Sequence, residues 1–235
     1  MVEIKNITKK YKENVGNFDI NINIKEGETY AIVGPNGAGK TTLIGQILGF
    51  IKSDSGEINV NGLSSWKNRQ DIMKFTGYVA GEVSLYEEYT GLAFLKLVKQ
   101  LKPETNWNFV VQLIKHFQID TSTKIKKMSK GMKQKIAIIA SVMNKPKFVV
   151  FDEPTSGLDP IMQEQFRILV KKLKENFKST IIICSHIFQE VVELSDRVGV
   201  IKNGKLVKEL DIKGKDVQKT IETFKAIFKD DRDTL

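Results

Sequence analysis

Nine consecutive residues, Gly34-Pro35-Asn36-Gly37-Ala38-Gly39-Lys40-Thr41-Thr42, carry a pattern suited to holding phosphate. They fit G-x-x-x-x-G-K-[ST], whose glycines let backbone N–H groups close around phosphate oxygens at the positive end of a helix. In that pattern Lys40 reaches the β- and γ-phosphates and Thr41 offers its hydroxyl to Mg²⁺. Much later, the apolar run Phe148-Val149-Val150-Phe151 ends in Asp152-Glu153. Asp152, at the end of a rigid strand, supplies the metal's carboxylate partner. Glu153 is then free to orient or deprotonate a water.

The elements around the loop agree with that chemistry. Tyr30-Ala31-Ile32-Val33 is a short apolar strand leading in, and Thr42 to Leu48 an apolar-rich helix leading out. Val2 to Thr8 and Asp19 to Val33 form a strand-rich start. Phe18, Ile20, Ile22 and Ile24 alternate with Asp19, Asn21, Asn23 and Lys25, as in a half-buried antiparallel strand. From Asp71 to Asp120 the pattern is mainly helical, with Leu92, Leu95, Val98 and Leu101 on one face and Val110, Leu113, Ile114 and Phe117 on another. Helices from Ser129, from Ile161 to Asn176 and around Phe188–Leu194 then alternate with strands at Phe148–Phe151 and Ile181. Such alternation implies a parallel sheet covered on both sides.

The expected fold is therefore α/β. It has a P-loop core with a mostly parallel sheet, an antiparallel β subdomain near the N-terminus and an inserted α-helical subdomain. Core and β subdomain are assigned to 1–75 and 143–215, the helical subdomain to about 76–142, and a C-terminal helix to about 216–228, all in a single domain spanning 1–235.

Composition fits a chain of 235 residues with 41% hydrophobic and 28% charged content, enough for one substantial domain. No run approaches the roughly 20 apolar residues of a membrane span, and Met1 to Asn6 hold no apolar signal core. A cytoplasmic location is expected. The single cysteine, Cys184, excludes an internal disulfide and reads as a buried structural thiol in an apolar strand. The net charge of +9 is spread over dispersed lysines, without the aromatic-interleaved stripe of a nucleic-acid surface. No nucleic-acid partner is expected.

Three further segments make the pattern specific. Met128-Ser129-Lys130-Gly131-Met132-Lys133-Gln134 resembles the signature motif of ATP-binding cassette proteins. Pro154-Thr155-Ser156-Gly157-Leu158-Asp159-Pro160 resembles their D-loop, and Ser185-His186 their switch histidine. Tyr11 stands where that family stacks an aromatic ring on adenine. The chain resembles the nucleotide-binding subunit of an ABC transporter over essentially its whole length. Its Ser-Lys-Gly-Met-Lys-Gln signature is similar to that of the branch exporting drugs and bacteriocins.

The resemblance implies ATP and Mg²⁺ as cofactors. It implies nucleotide contacts from Tyr11, from Gly34, Pro35, Asn36, Gly37, Ala38, Gly39, Lys40, Thr41 and Thr42, and from Ser129, Gly131 and Asp159. Thr41 and Asp152 would hold the metal, and Glu153 and His186 would be catalytic. Ser129, read as the N-cap of its helix, would face the γ-phosphate bound by a partner subunit in a head-to-tail dimer. The dimer is expected as a homodimer or heterodimer working on a separate membrane permease, at the inner face of the cell membrane. A soluble, non-transport ABC ATPase is the alternative. The stretch between Thr42 and Ser129 lacks the long coiled coil of repair types, and one cassette does not match the two of translation types. A nucleotide-binding module without turnover conflicts with intact Asp152, Glu153 and His186.

One departure concerns Tyr78-Val79-Ala80-Gly81-Glu82. The family's usual glutamine near Gly81 touches Mg²⁺ and water; either Glu82 replaces it, or coupling runs through backbone and solvent. The stretch from Gly81 to Phe94 is the expected docking surface. Leu85 and Tyr86 would be its apolar anchors, and Glu82, Glu87 and Glu88 a polar rim. The second histidine, His116, reads as a surface residue without a catalytic part.

Overall fold

The alternation at Asp19–Ile24 has the consequence expected of it: Ile20, Ile22 and Ile24 are buried while Asp19, Asn21 and Asn23 are exposed. In the computed structural model, which describes residues 1–229, this run lies in a strand from Val15 to Ile24 (β2). It pairs antiparallel with Val2–Lys12 (β1), placing Ile4 opposite Ile22. The chain then passes through the fully buried strand Thr29–Val33 (β3) and the helix Lys40–Ile47 (α1). It returns as Ser55–Val60 (β4) on the other edge of β1, followed by Leu63–Ser64 (β5). Asn61 and Gly62, with φ of 52° and 77°, make the two-residue turn between β4 and β5. These four strands form one antiparallel sheet in the order β2-β1-β4-β5.

A short helix, Arg69–Lys74 (α2), leads to Thr76–Val79 (β6), and the helices Gly91–Leu101 (α3), Trp107–His116 (α4) and Lys130–Val142 (α5) follow. Next come the strand Phe148–Asp152 (β7), the helix Pro160–Phe177 (α6), the strand Thr180–Cys184 (β8) and the helix Phe188–Leu194 (α7). The strands Arg197–Lys202 (β9) and Lys205–Asp211 (β10) and the helix Val217–Lys229 (α8) complete the described chain. The second sheet has the order β10-β9-β3-β8-β7-β6, with β10 antiparallel and every other pairing parallel.

β3, β7 and β8 are buried along their whole length because both sheet faces are covered. Phe148, Val150 and Ile182 face α1 and the antiparallel sheet, sharing a core with Leu43, Ile44 and Ile20. Val149, Phe151 and Ile183 face the other way, into a core with Leu95, Phe109, Leu113, Ile139 and Phe166. The helices between β6 and β7 therefore pack on the same apolar layer as α6. A third cluster joins Ala31, Val33 and Val200 to Val191 and Phe224, whose ring lies 5.5 Å from that of Phe188.

Two details depart from the sequence expectation. Thr76–Val79 stands at the head of the segment assigned to the helical subdomain, yet it pairs residue for residue with Phe148–Phe151 as an edge strand of the parallel sheet. His116 is half-buried, not a surface residue. Its Nε2 lies 2.8 Å from the Gln165 carbonyl oxygen, while Gln165 Nε2 donates to the His116 carbonyl at 2.9 Å, tying α4 to α6. Among the described residues no helix is long and apolar enough to cross a membrane.

Candidate functional site

The loop after β3 is shaped by close approaches. A Cβ on Gly34 would fall 2.3 Å from the Ile201 carbonyl oxygen, and one on Gly39 would fall 2.2 Å from the Asn17 side chain. Gly39 also has φ of 103°, which favours glycine. Asn17 is fully buried beneath the loop. Its side-chain amide donates to Gln46 Oε1 of α1 at 2.9 Å, tying the start of β2 to the helix that follows the loop. The Lys40 ammonium, only 6% exposed, donates to the carbonyls of Gly34 (2.8 Å) and Pro35 (3.1 Å). It is fixed inside the turn it belongs to.

β8 lies between β3 and β7, so the ends of these three parallel strands are neighbours. Asp152 pairs with Cys184 in the register, which sets Glu153 beside Ser185 and His186. Thr41 Oγ1 donates to Asp152 Oδ2 at 3.1 Å, joining the start of α1 to the end of β7. Asp152 is 3% exposed, and its Oδ1 is buried without a hydrogen-bond partner. Burial pushes its carboxyl up; the Thr41 hydroxyl opposes that, Glu153 adds to it and Lys40 opposes it.

Glu153 takes a left-handed backbone conformation, φ 48°, with its N–H held by the Cys184 carbonyl at 2.8 Å. Such a φ is uncommon for a long side chain and turns the residue out of the strand direction. Its Oε2 meets His186 Nδ1 at 2.6 Å. Cys184 itself is fully buried, and burial, then the Asp152 charge, raises its thiol well above the usual range.

The remaining candidates stand apart from this cluster. Ser129 caps α5, its hydroxyl accepting the Met132 N–H at 3.3 Å, and a Cβ on Gly131 would meet only Leu158, at 3.6 Å. Asp159 caps α6 through the Met162 N–H at 2.9 Å. Among the described residues, neither Ser129 nor Asp159 has a hydrogen bond to the phosphate-type loop. Tyr11 is 52% exposed, with the Lys9 ammonium 5.6 Å from its ring centre.

Gly81 lies against the two carboxylates: a Cβ there would sit 3.6 Å from the Asp152 carbonyl oxygen and 3.9 Å from Glu153 Cβ, ordinary contact distances. The position borders the site and has room for a side chain. Glu82 is exposed and lines a groove of about 320 Å³ together with Tyr78, Val79, Leu85, Phe94 and Lys102. Burial, and then the charge of Asp152, push the Tyr78 hydroxyl up to about 12, so it stays neutral between groove and site. Tyr86 is 64% exposed, with its ring near those of Tyr89 and Phe94. Glu87 and Glu88 do not form a free polar rim. Glu87 pairs with Lys133 of α5 at 2.9 Å and Glu88 with Lys126 at 3.2 Å.

Comparison with known proteins gives a consistent result. The family model described as ABC transporter matches residues 18–156. The bacitracin transport ATP-binding protein BcrA of Bacillus licheniformis is 34% identical over 212 residues, covering 89% of this chain and 69% of its own length. The lantibiotic transport ATP-binding protein SrtF of Streptococcus pyogenes is 35% identical over 219 residues, covering 91% and 92%. A bacterial ABC transporter cassette solved as a dimer superposes with a TM-score of 0.83 at 26% identity, covering 91% of this chain and all of the other. A dimeric cassette in a post-hydrolysis state, bound to ADP and phosphate, gives 0.82 at the same identity and coverage.

Proposed function

This chain belongs to the ABC transporter family, and from that premise we propose that it is the ATP-hydrolysing subunit of a membrane exporter, working with a separate permease. The convergence of the Lys40 loop, the Thr41–Asp152 contact and the Glu153–His186 pair at three adjacent strand ends carries this reading. Ligands bind outside the carboxyl ends of strands in open α/β sheets, and here chemistry-bearing residues are concentrated there.

Phosphoryl transfer to water needs placement and charge stabilisation more than covalent help. Lys40 and the N–H groups of Gly34 to Thr42 bind the phosphates and neutralise charge on the transferring group. Glu153 accepts the proton of the attacking water. His186, bonded to the Glu153 carboxylate, holds both in line. Tyr11 stacks on the adenine from the exposed end of β1.

The donor set suits Mg²⁺. Asp152 Oδ1 is a buried acceptor with nothing to accept from, and the neighbouring Thr41 hydroxyl is a second hard oxygen. Thr41 and Asp152 would hold the ion together with phosphate oxygens of the nucleotide and water. When bound, Mg²⁺ supplies positive charge to the β- and γ-phosphates.

Ser129 and Gly131 stand away from the loop with an open helix N-terminus, an arrangement that suits a head-to-tail dimer closing over two ATP molecules. The groove beside Gly81 suits a permease segment, which would hold the subunit at the inner membrane face. The relatives named for bacitracin and lantibiotic transport favour an exporter. Phosphate release from Mg-ATP by the purified chain, together with copurification of an integral membrane protein, tests the reading. A chain that binds ATP without turning it over, whether alone or with that membrane protein, would sink it.

A further inference from the structure

Thr155 and Ser185 lie on different segments, yet both hydroxyls donate to one carboxylate. Glu190, on α7 and 4% exposed, accepts from Thr155 Oγ1 through Oε1 and from Ser185 Oγ through Oε2, each at 2.8 Å. Both donors are themselves buried, at 0% and 1% exposure. Ser185 Oγ also accepts the Ile187 N–H at 3.1 Å, so one hydroxyl holds the chain on either side of His186. Thr155 follows Glu153 by two residues, and its carbonyl accepts the Leu158 N–H at 3.1 Å, fixing the turn after the base.

Burying a carboxylate is costly unless each oxygen is satisfied, and burial does push Glu190 up from the ordinary range. The Ser185 oxygen accepts the Ile187 N–H and each hydroxyl donates to its own carboxylate oxygen, so Glu190 serves as a double acceptor. A glutamine offers one acceptor and one donor, which would force one of the two hydroxyls to reverse. No salt bridge accounts for the residue: the Arg167 guanidinium, whose charge favours the ionised form, bonds Glu164 and Glu193 instead.

We propose that Glu190 is a positioning residue for hydrolysis, one buried carboxylate that sets the spacing of Glu153 and His186 by holding Thr155 and Ser185. The proposal rests on the roles given above to Glu153 and His186. Glu190 is buried behind Thr155 and Ser185, and it acts through the two segments it joins. A shift of either segment would lengthen the 2.6 Å contact between imidazole and base.

The test measures kcat with Mg-ATP, ATP affinity by nucleotide titration, and thermal melting. The variants are Glu190→Ala, Glu190→Gln, His186→Ala and the Glu190→Ala/His186→Ala pair. Glu190→Ala is expected to lower kcat by about tenfold or more with ATP affinity within about twofold, as loss of placement alone requires. Glu190→Gln should fall between it and the unsubstituted chain. In the His186→Ala background, Glu190→Ala should cost much less than it does alone, because the pair it aligns is already broken. The same fold-loss in both backgrounds, or parallel losses of kcat, ATP affinity and melting temperature, would overturn the proposal. If Glu190→Ala does not fold, Thr155→Val and Ser185→Ala each remove one arm; an undiminished kcat in both overturns it equally. Absence of hydrolysis by the unsubstituted chain would instead remove the underlying reading, and this one with it.

Discussion

His186 Nδ1 lies 2.6 Å from Glu153 Oε2, although the two residues leave different strands of the parallel sheet. The pairing of Asp152 with Cys184 brings the strand ends level, and the left-handed φ of Glu153 turns its carboxylate towards the imidazole. Glu153→Gln keeps the size of the side chain but not its basicity. It should bind Mg-ATP as the unsubstituted chain does and lose most turnover, about a hundredfold or more. Wild-type-like phosphate release would take Glu153 out of the base role.

That same variant isolates the dimer. With ATP it should sediment as a dimer and with ADP as a monomer, since ADP lacks the phosphate that Ser129 of the partner subunit would contact. Adding Ser129→Arg places bulk and charge at the start of α5 and should abolish the ATP-dependent dimer. A mass indifferent to nucleotide would exclude a homodimer and direct the search to a heterologous partner.

Lys40 is held by two backbone carbonyls and is nearly buried, so its charge is already aimed when nucleotide arrives. Lys40→Ala removes that charge and should weaken ATP binding itself by about tenfold or more. A titration with unchanged affinity would count against the loop assignment.

The site was legible where chemistry and local order coincide. The glycine loop between strand and helix, the carboxylates ending an apolar run and the histidine after the next apolar run are all short-range patterns. Ser129 as an N-cap was equally readable, because capping is a local event. Asn17 was not. The register shift between β1 and β2, where Lys9 pairs with Asn17, turns an odd-numbered polar residue inward against the alternation around it. Glu190 resembles any acid of a short amphipathic helix until the fold brings Thr155 to it. The placement of β6 depends on pairing with a distant strand, which a four-residue run flanked by helices does not announce. Glu87 and Glu88 are exposed, as the sequence implies, but their ion pairs are not readable there because the lysine partners lie 46 and 38 residues away.

Gly81 gives a prediction of the opposite sense. Its φ is not left-handed and a Cβ there makes only ordinary contacts, so neither strain nor crowding requires glycine. Gly81→Gln should fold with a melting temperature equal to or slightly above that of the unsubstituted chain, because a side chain restricts the unfolded state. The added amide would lie beside Asp152 and Glu153, and ATP hydrolysis should be retained. A large drop in stability would show that the site needs that space empty.

Lys102 lines the groove, with its ammonium donating to the Thr76 carbonyl and to Asn144 at 3.3 Å each. Burial lowers its affinity for a proton below the ordinary lysine range. The folded state therefore bears an ionisation cost that the unfolded state does not. That cost is fully present at neutral pH and is relieved as pH rises through the depressed folded value towards the unfolded one. Lys102→Met should accordingly raise the melting temperature at pH 7, with the gain shrinking near pH 10.5. A gain that is constant across this range would assign the effect to packing.

The last prediction concerns how the work of hydrolysis leaves the subunit. Between the end of β6 and the start of α3 the chain passes Gly81 beside the carboxylates, then Leu85 at the groove, and then Tyr86 at the surface. Beyond them, the Tyr89 carbonyl accepts the Ile125 N–H at 2.9 Å and Glu87 pairs with Lys133, so the same stretch is joined to the segment leading into Ser129 and to α5. A permease segment seated on Leu85 and Tyr86 would thus press on a loop in contact with both the hydrolytic carboxylates and the capped helix. Replacing Leu85 and Tyr86 by Ser removes the apolar anchors without touching either end. ATP hydrolysis by the isolated chain should stay within about twofold, while copurification with the permease weakens and transport in membranes fails. Lys133→Ala cuts only the link to α5, so docking should persist while transport per ATP hydrolysed declines. Full transport by the Leu85/Tyr86 double variant would place the coupling surface elsewhere on the subunit.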